Sequence, residues 1–354
     1  MIMNIAVIGG GSWGTALARL LARKGHSVSL WVYEKEVVES IRLRHENAVY
    51  LPGVPLPKTL SATSSLKEAL QNAKWVVFAV PSHVARDVLI QMSPFLSPET
   101  PIISATKGIE RKGLKFISEV ICEALRRKNT DRIAVLSGPS FAKEVVLEHP
   151  TAVVLAASDT RLAARIQNIF STPFFRLFLS ADLIGVQLGG ALKNVIALAA
   201  GGSDGLGFGY NTKAVLITRG LSEMARLGLA MGADINTFYG LSGMGDLFLT
   251  CSGTLSRNRR VGEEIGKGVP LPQILKQMQM VAEGVHTTES AYALSQKYKV
   301  EMPIVREIYR ILFEGKPPKQ AVMDLMKIAR GGEIPLKVKR TSSPGKGAAA
   351  RGKK

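Results

Sequence analysis

The chain is short of cysteine, of histidine in any suggestive setting, and of long apolar runs. Cys122 and Cys251 are the only cysteines in 354 residues. They lie far apart and in no metal-ligand spacing, which excludes a disulfide framework and a cysteine zinc site; each reads as a small core hydrophobe. No stretch of about 18 apolar residues occurs, because Lys193 and Asn194 interrupt the longest apolar segment, so no membrane span is expected. His26, His45, His83, His149 and His286 are scattered, and none has the glycine-rich or acid-paired context of a histidine base. The basic region and small-residue cleavage site of a secretory signal are also missing, so the expected compartment is the cytoplasm.

What is present is an ordinary globular balance, 46% hydrophobic and 21% charged, over a length that suggests two domains. The net charge is +18, but seven basic residues and no acid fall from Lys337 onward, leaving +11 for the rest. Rich in Ser, Gly, Ala and Lys, residues 335–354 read as a disordered basic tail. It is either a solubilising extension or a contact for a polyanion or membrane surface. A nucleic-acid partner is not expected, and the +11 of the body suits phosphate ligands.

Short β-branched runs alternate with helix-like segments over the first 180 residues: Asn4 to Ile8, Val28 to Val32, Trp75 to Val80, Pro101 to Ser104, Ile133 to Leu136, Thr151 to Ala156 and Phe174 to Leu179. That pattern predicts a mostly parallel sheet covered by helices. Helical patterns alone follow, at Leu183 to Ala200, Thr212 to Leu227, Pro272 to Met280, Thr287 to Lys297, Pro303 to Phe313 and Pro318 to Lys327. The fold class is therefore α/β, with a Rossmann-like domain over residues 1–181, an all-helical domain over 182–334 and the tail beyond.

Gly9, Gly11 and Gly14 form a GxGxxG pattern between the first strand and the helix from Ser12 onward. Glycines there permit a tight turn and close approach of backbone amides to a pyrophosphate, and the helix start adds positive partial charge. With a second strand ending some 20 residues later, the context is that of a dinucleotide site. That strand ends Trp31-Val32-Tyr33-Glu34. Glu34 either accepts hydrogen bonds from an NAD ribose and repels the 2′-phosphate of NADP, or is an exposed acid opening the next helix. The first reading favours NAD.

Lys107 follows a predicted strand, at the carboxyl end of the sheet where ligands of open α/β folds bind, though alone it fits a solvated lysine equally. Gly138 and Ser140 follow the strand Ile133 to Leu136, and Ser140 is either a helix N-cap or a ligand contact. Gly189, Lys193, Ala197 and Ala200 share one helical face. Glycines cost a helix stability, so that face predicts close approach by a backbone or a ligand, with Lys193 pointing into a cavity; snorkelling to solvent is the alternative. Asp246 stands among glycines, where it pairs with a lysine, binds a hydroxyl or caps a helix. Ser256, Arg257 and Asn258, with Arg259 and Arg260, open a helix and suit a phosphate; a solvated basic face is the alternative. Among these residues a lysine is the best proton-transfer group, since partial burial lowers its pKa toward working pH.

Taken in order over residues 3 to 330, these segments resemble one family: bacterial NAD(P)-dependent sn-glycerol-3-phosphate dehydrogenases. The matching runs are Gly9 to Ala16, Asn47 through Tyr50 to Gly53, Lys107 to Glu110, Gly138 to Ala142, Gly190 to Asn194, Gly243 to Leu247, Ser256 to Asn258 and Ala282 to Gly284. The resemblance implies reversible reduction of dihydroxyacetone phosphate to sn-glycerol 3-phosphate, feeding glycerophospholipid synthesis, in a homodimer. It implies Lys193 as proton donor and acceptor, and Lys107, Gly138, Ser140, Asp246, Ser256, Arg257 and Asn258 as substrate contacts. Ser12, Trp13, Tyr50, Ala142, Val281 and Glu283 become cofactor contacts, with Lys107 and Arg257 shared. Where many members carry a basic residue after Leu-Trp at the end of the second strand, this chain has Tyr33 and then Glu34. The tail also departs from the pattern. Two other readings are kept: a β-hydroxyacid dehydrogenase of related layout, and a non-catalytic nucleotide-binding protein.

Overall fold

A computed structural model describes residues 2–278 and 280–328; the tail expected at 335–354 lies outside them. Eight strands form one sheet: β1 (Asn4–Ile8), β2 (Ser27–Trp31), β3 (Leu60–Thr63), β4 (Trp75–Phe78), β5 (Ile102–Ser104), β6 (Ile133–Ser137), β7 (Thr151–Ala157) and β8 (Phe175–Ser180). Their order is β3-β2-β1-β4-β5-β6-β7-β8, and every pairing is parallel except β6 with β7. Seven helices cover it: α1 (Ser12–Arg23), α2 (Lys35–Arg44), α3 (Leu66–Leu70), α4 (Ala85–Met92), α5 (Ile117–Ala124), α6 (Ala142–Val146) and α7 (Thr160–Phe170). The chain reverses direction across the sheet between β1 and β4, and Ile5 pairs with both Val28 and Trp75. Open α/β sheets bind ligands at the carboxyl ends of strands flanking such a switch.

Seven of the eight strands match the expected runs to within two residues at either end. The additional one, β3, has only the residues Leu-Ser-Ala-Thr. So short a segment, with one β-branched residue, is not marked as a strand by itself; pairing of Leu60–Thr63 along Val28–Trp31 makes it one.

After Ser180 the described residues are helical: α8 (Leu183–Gly205), α9 (Tyr210–Ala230), α10 (Ile235–Tyr239), α11 (Asp246–Ser252), α12 (Arg257–Gly266), α13 (Leu271–Lys276), α14 (Glu283–Lys297), α15 (Pro303–Phe313) and α16 (Pro318–Ile328). α14 begins four residues before the expected Thr287, which brings Glu283 into its first turn, and α13 stops at Lys276 instead of Met280. Asp182 caps the start of α8 by accepting from the Gly185 amide at 2.8 Å.

α8 is the axis of this half. With a mean hydropathy of 1.5 it is long and apolar enough to cross a membrane by length and composition alone, Lys193 and Asn194 included, but 89% of its apolar window is buried inside the protein. A helix that is apolar all round is either a span or a core helix, and here neighbouring helices wrap it. Its glycines are the reason they come so close. A Cβ on Gly201 would stand 1.8 Å from the Arg259 carbonyl of α12, and one on Gly262 of α12 would stand 2.0 Å from the Leu198 carbonyl. Cys251 is buried in the same core, which pushes its thiol up to about 12, and Cys122 is half-buried.

Candidate active site

At the switch between β1 and β4 the glycines divide the work. Gly9 has φ +121°, a left-handed conformation, and a Cβ on it would meet the Ala79 carbonyl at 2.6 Å; one on Gly14 would meet the Gly9 carbonyl at 1.9 Å. Both are therefore required for the tight turn and for packing α1 on the sheet. Gly11, by contrast, has nothing within 4 Å of where a Cβ would stand, and it is the N-cap of α1 without a side-chain cap or an acid in the first turn. The amides opening α1 are thus free to face an anion. Trp13 packs with Ala142, Leu51 and Val54, and its Nε1 is buried without a partner among the described residues. An open cradle, an uncapped helix start and an orphaned donor fit a dinucleotide.

The other expected cofactor contacts have partners of their own. Tyr50 donates to Glu34 at 2.7 Å. The Ser12 hydroxyl lies 3.9 Å from the Met280 sulfur, which places the stretch leading to half-buried Val281 against the turn. Glu283 accepts from the Ser82 amide at 2.9 Å and from its hydroxyl at 2.5 Å. Tyr33 is 78% exposed, with its ring edge-on to Trp31.

Some 30 to 60 residues apart in the chain, Lys107, Gly138, Lys193 and Asp246 form one hydrogen-bonded cluster. The Lys193 ammonium lies 2.5 Å from Asp246 Oδ1 and 3.0 Å from the Thr250 hydroxyl. Lys107 donates to Asp246 Oδ2 at 2.8 Å and to the Gly138 carbonyl at 2.9 Å. Lys193 is 7% exposed, and Asp246 is fully buried. Of the three roles open to Asp246, pairing with lysines is the one realised. Burial holds the Lys193 amine down to about 8, against the Asp246 carboxylate that raises it and with the help of the Lys107 charge. One carboxylate between two ammonium groups leaves the cluster net positive, which suits an anionic ligand.

Ser140 does not cap a helix. Phe141 takes the N-cap place of α6, and the Ser140 hydroxyl donates to the Gly138 carbonyl at 2.9 Å. Gly138 has φ +135°, and a Cβ there would stand 3.0 Å from Val153 Cα, so glycine is required at this bend. Ser256 caps α12 by accepting from the Arg259 amide at 3.2 Å. Asn258 donates to Asn194 at 2.9 Å and accepts from the Gly284 amide at 2.9 Å, joining α12 to α8 and α14. Arg257 is exposed at the start of α12. Arg259, grouped with these cations in the sequence, is turned away to Asp204 at 2.7 Å.

Thr250 is absent from the sequence expectations, and Asn194 enters them only as the end of a matching run. Thr250 stands one helical turn beyond Asp246, a spacing that places both on one face of α11 and could have signalled it. Asn47 was read only as the edge of a matching run, yet it is fully buried and bonded to the Gly10 carbonyl at 2.8 Å. Two of the scattered histidines also meet: the rings of His83 and His286 lie 4.9 Å apart, and burial lowers His83 while the Glu283 carboxylate raises it.

Known proteins match this chain over most of its length. The family described as NAD-dependent glycerol-3-phosphate dehydrogenase N-terminus matches residues 4–163, and its C-terminus counterpart matches 182–323. Glycerol-3-phosphate dehydrogenase [NAD(P)+] of Geobacter sp. (strain M21) is 55% identical over 326 residues, covering 92% of this chain and 97% of the relative. The same enzyme of Geobacter sulfurreducens is 54% identical with the same coverage. The crystal structure of glycerol-3-phosphate dehydrogenase from Coxiella burnetii superimposes with a TM-score of 0.89 at 41% identity, covering 92% of this chain and 99% of that one. Ketopantoate reductase of Ralstonia eutropha, at 16% identity and a TM-score of 0.58, shares the fold alone. With both halves matched in order and the relatives spanned almost end to end, the chain belongs to the NAD(P)-dependent glycerol-3-phosphate dehydrogenase family.

Proposed function

We propose that Lys193 is the catalytic proton donor and acceptor in the reversible reduction of dihydroxyacetone phosphate to sn-glycerol 3-phosphate. The observation that carries this reading is its buried ammonium, bonded to Asp246 and Thr250 and held down to about 8. An ammonium has three N–H donors; two are engaged, and the third is left for a substrate oxygen. A nicotinamide dinucleotide at the glycine turn, NAD or NADP, exchanges the hydride with substrate C2. Lys193 gives its proton to the carbonyl oxygen as reduction proceeds, and the neutral amine accepts the hydroxyl proton in the reverse direction.

Asp246 positions both lysines, and Lys107 adds the second cation. Arg257 and the opening amides of α12 receive the phosphate, since a guanidinium and helix-start N–H groups offer directed donors to a dianion. Ser140, Gly138, Ser256 and Asn258 shape the substrate side of the cleft. Gly9, Gly11, Ser12, Trp13, Gly14, Tyr33, Glu34, Tyr50, Ala142, Val281 and Glu283 serve the cofactor. Orienting both reactants in one cleft can supply about 7 to 11 kcal/mol. The same reading divides the chain at residue 182, makes it a cytoplasmic homodimer, and gives it the task of supplying glycerophospholipid synthesis.

Lys193→Ala tests the assignment. Turnover of dihydroxyacetone phosphate should fall by about 10³-fold, while NADH binding and the thermal midpoint are retained. Near-normal turnover by the folded variant would remove Lys193 from the chemistry, and faster turnover of 3-hydroxyisobutyrate than of the phosphorylated substrate would favour the β-hydroxyacid reading.

A further inference from the structure

Glu34, Asn47 and Tyr50, beyond the end of β2, form a connected unit with Thr15 of α1. Glu34 occupies the N-cap of α2, yet its carboxylate caps no amide, although an acid there ordinarily accepts from the first turn. It accepts from the Tyr50 hydroxyl at 2.7 Å instead. Tyr50 is itself fixed: its amide donates to Asn47 Oδ1 at 3.0 Å. Asn47 donates to the Gly10 carbonyl and to the Thr15 hydroxyl, both at 2.8 Å, and Thr15 donates to Gly10 at 3.1 Å. The acid is thereby tied, through Tyr50 and Asn47, to the glycine turn itself. Burial and the Glu34 carboxylate push the Tyr50 phenol up to about 12, with Glu36 adding to the negative field, so Tyr50 remains a neutral donor.

We propose that Tyr50 and Glu34 together select the cofactor, holding a carboxylate at the place after the second strand where the adenosine ribose is met, so that this chain binds NAD(H) in preference to NADP(H). The proposal rests on the glycine turn being the dinucleotide site. A carboxylate is acceptor-only; the ribose diol brings O–H donors to it, whereas a 2′-phosphate brings only acceptors and negative charge. The cations nearby do not reverse this. Arg42 donates to the Ala62 carbonyl and Arg44 to the Ser40 hydroxyl, and exposed Lys35 is flanked in sequence by Glu34 and Glu36. Glu34 meets the ribose, and Tyr50 is a positioning residue that keeps the carboxylate from turning into solvent or onto the α2 amides.

The test is calorimetric titration of NADH and of NADPH into the wild type, Glu34→Gln and Tyr50→Phe, with thermal unfolding as the check that each variant is folded. The wild type should bind NADH at least about tenfold more tightly, the size expected for a hydrogen bond to a charged group. Glu34→Gln should shrink that ratio by about fivefold or more, chiefly by tightening NADPH; Tyr50→Phe, which keeps the acid but frees it, should shrink it by a smaller factor. Equal affinities in the wild type, or an unchanged ratio in Glu34→Gln, overturn the proposal while leaving the dinucleotide site intact. An unchanged ratio in Tyr50→Phe overturns the positioning role, and failure of the wild type to bind either dinucleotide overturns the site as well.

Discussion

Lys193 has one carboxylate neighbour, one hydroxyl neighbour and one cationic neighbour, and these together with burial decide its protonation. Because the folded value lies near 8, below the ordinary lysine value of 10.5, the amine loses its proton in a range where enzymes are assayed. Under the role proposed for Lys193, reduction needs the ammonium, so kcat/KM for dihydroxyacetone phosphate should fall as pH rises through about 8. Under the same role, oxidation of glycerol 3-phosphate needs the neutral amine and should rise through the same range. Two pH profiles that run in parallel would contradict this. Asp246→Asn removes the carboxylate that raises Lys193, so the same midpoint should move to lower pH, together with a drop in kcat as both lysines lose their anchor. The lysine and the acid were each legible from glycine-rich surroundings. Their contact was not, since 53 residues separate them and no spacing rule reaches that far.

Between elements, the crossing of α8 and α12 depends on missing side chains. Gly262→Ala would put a methyl group where a carbonyl already lies 2.0 Å away. Alanine favours helix by about 1 kcal/mol over glycine, but forcing the pair apart should cost about 3 kcal/mol, a net loss seen as a lower urea midpoint. An unchanged midpoint would mean that the helices can slide. Glu223 holds a second junction: fully buried on α9, it accepts from the Ile304 amide at 2.8 Å and the Val305 amide at 3.2 Å, the opening turn of α15. Glu223→Ala should cost about 2 to 4 kcal/mol by stranding two buried donors, again read from urea unfolding. The small-residue face of α8 announced that something comes close. Which element comes close, and that Gly189 meets the Ser242 carbonyl while Gly201 meets Arg259, depended on where the other helices packed.

Across the whole molecule, the bonds that join the two halves include Glu283 to Ser82, Lys107 to Asp246, Gln187 to Ser118, and Ser290 to the Ile109 carbonyl at 3.4 Å. Glu283→Ala should therefore raise KM for cofactor and substrate together by several-fold, without moving the pH midpoint set by Lys193; a change in kcat alone would assign Glu283 to the chemistry instead. By itself the sequence determined the alternation of strands and helices, the glycine turn, the change to helix after residue 180 and the residue types of the site, because all of these are written in local periodicity and short motifs. The tertiary structure alone decided that Leu60–Thr63 is a strand, that α8 is a buried axis, that Ser140 faces Gly138 and caps nothing, and that one carboxylate serves two lysines. Those outcomes depend on contacts between distant segments and on the burial such contacts create, and neither hydrogen-bond partners nor a shifted pKa exists until the chain has closed around them.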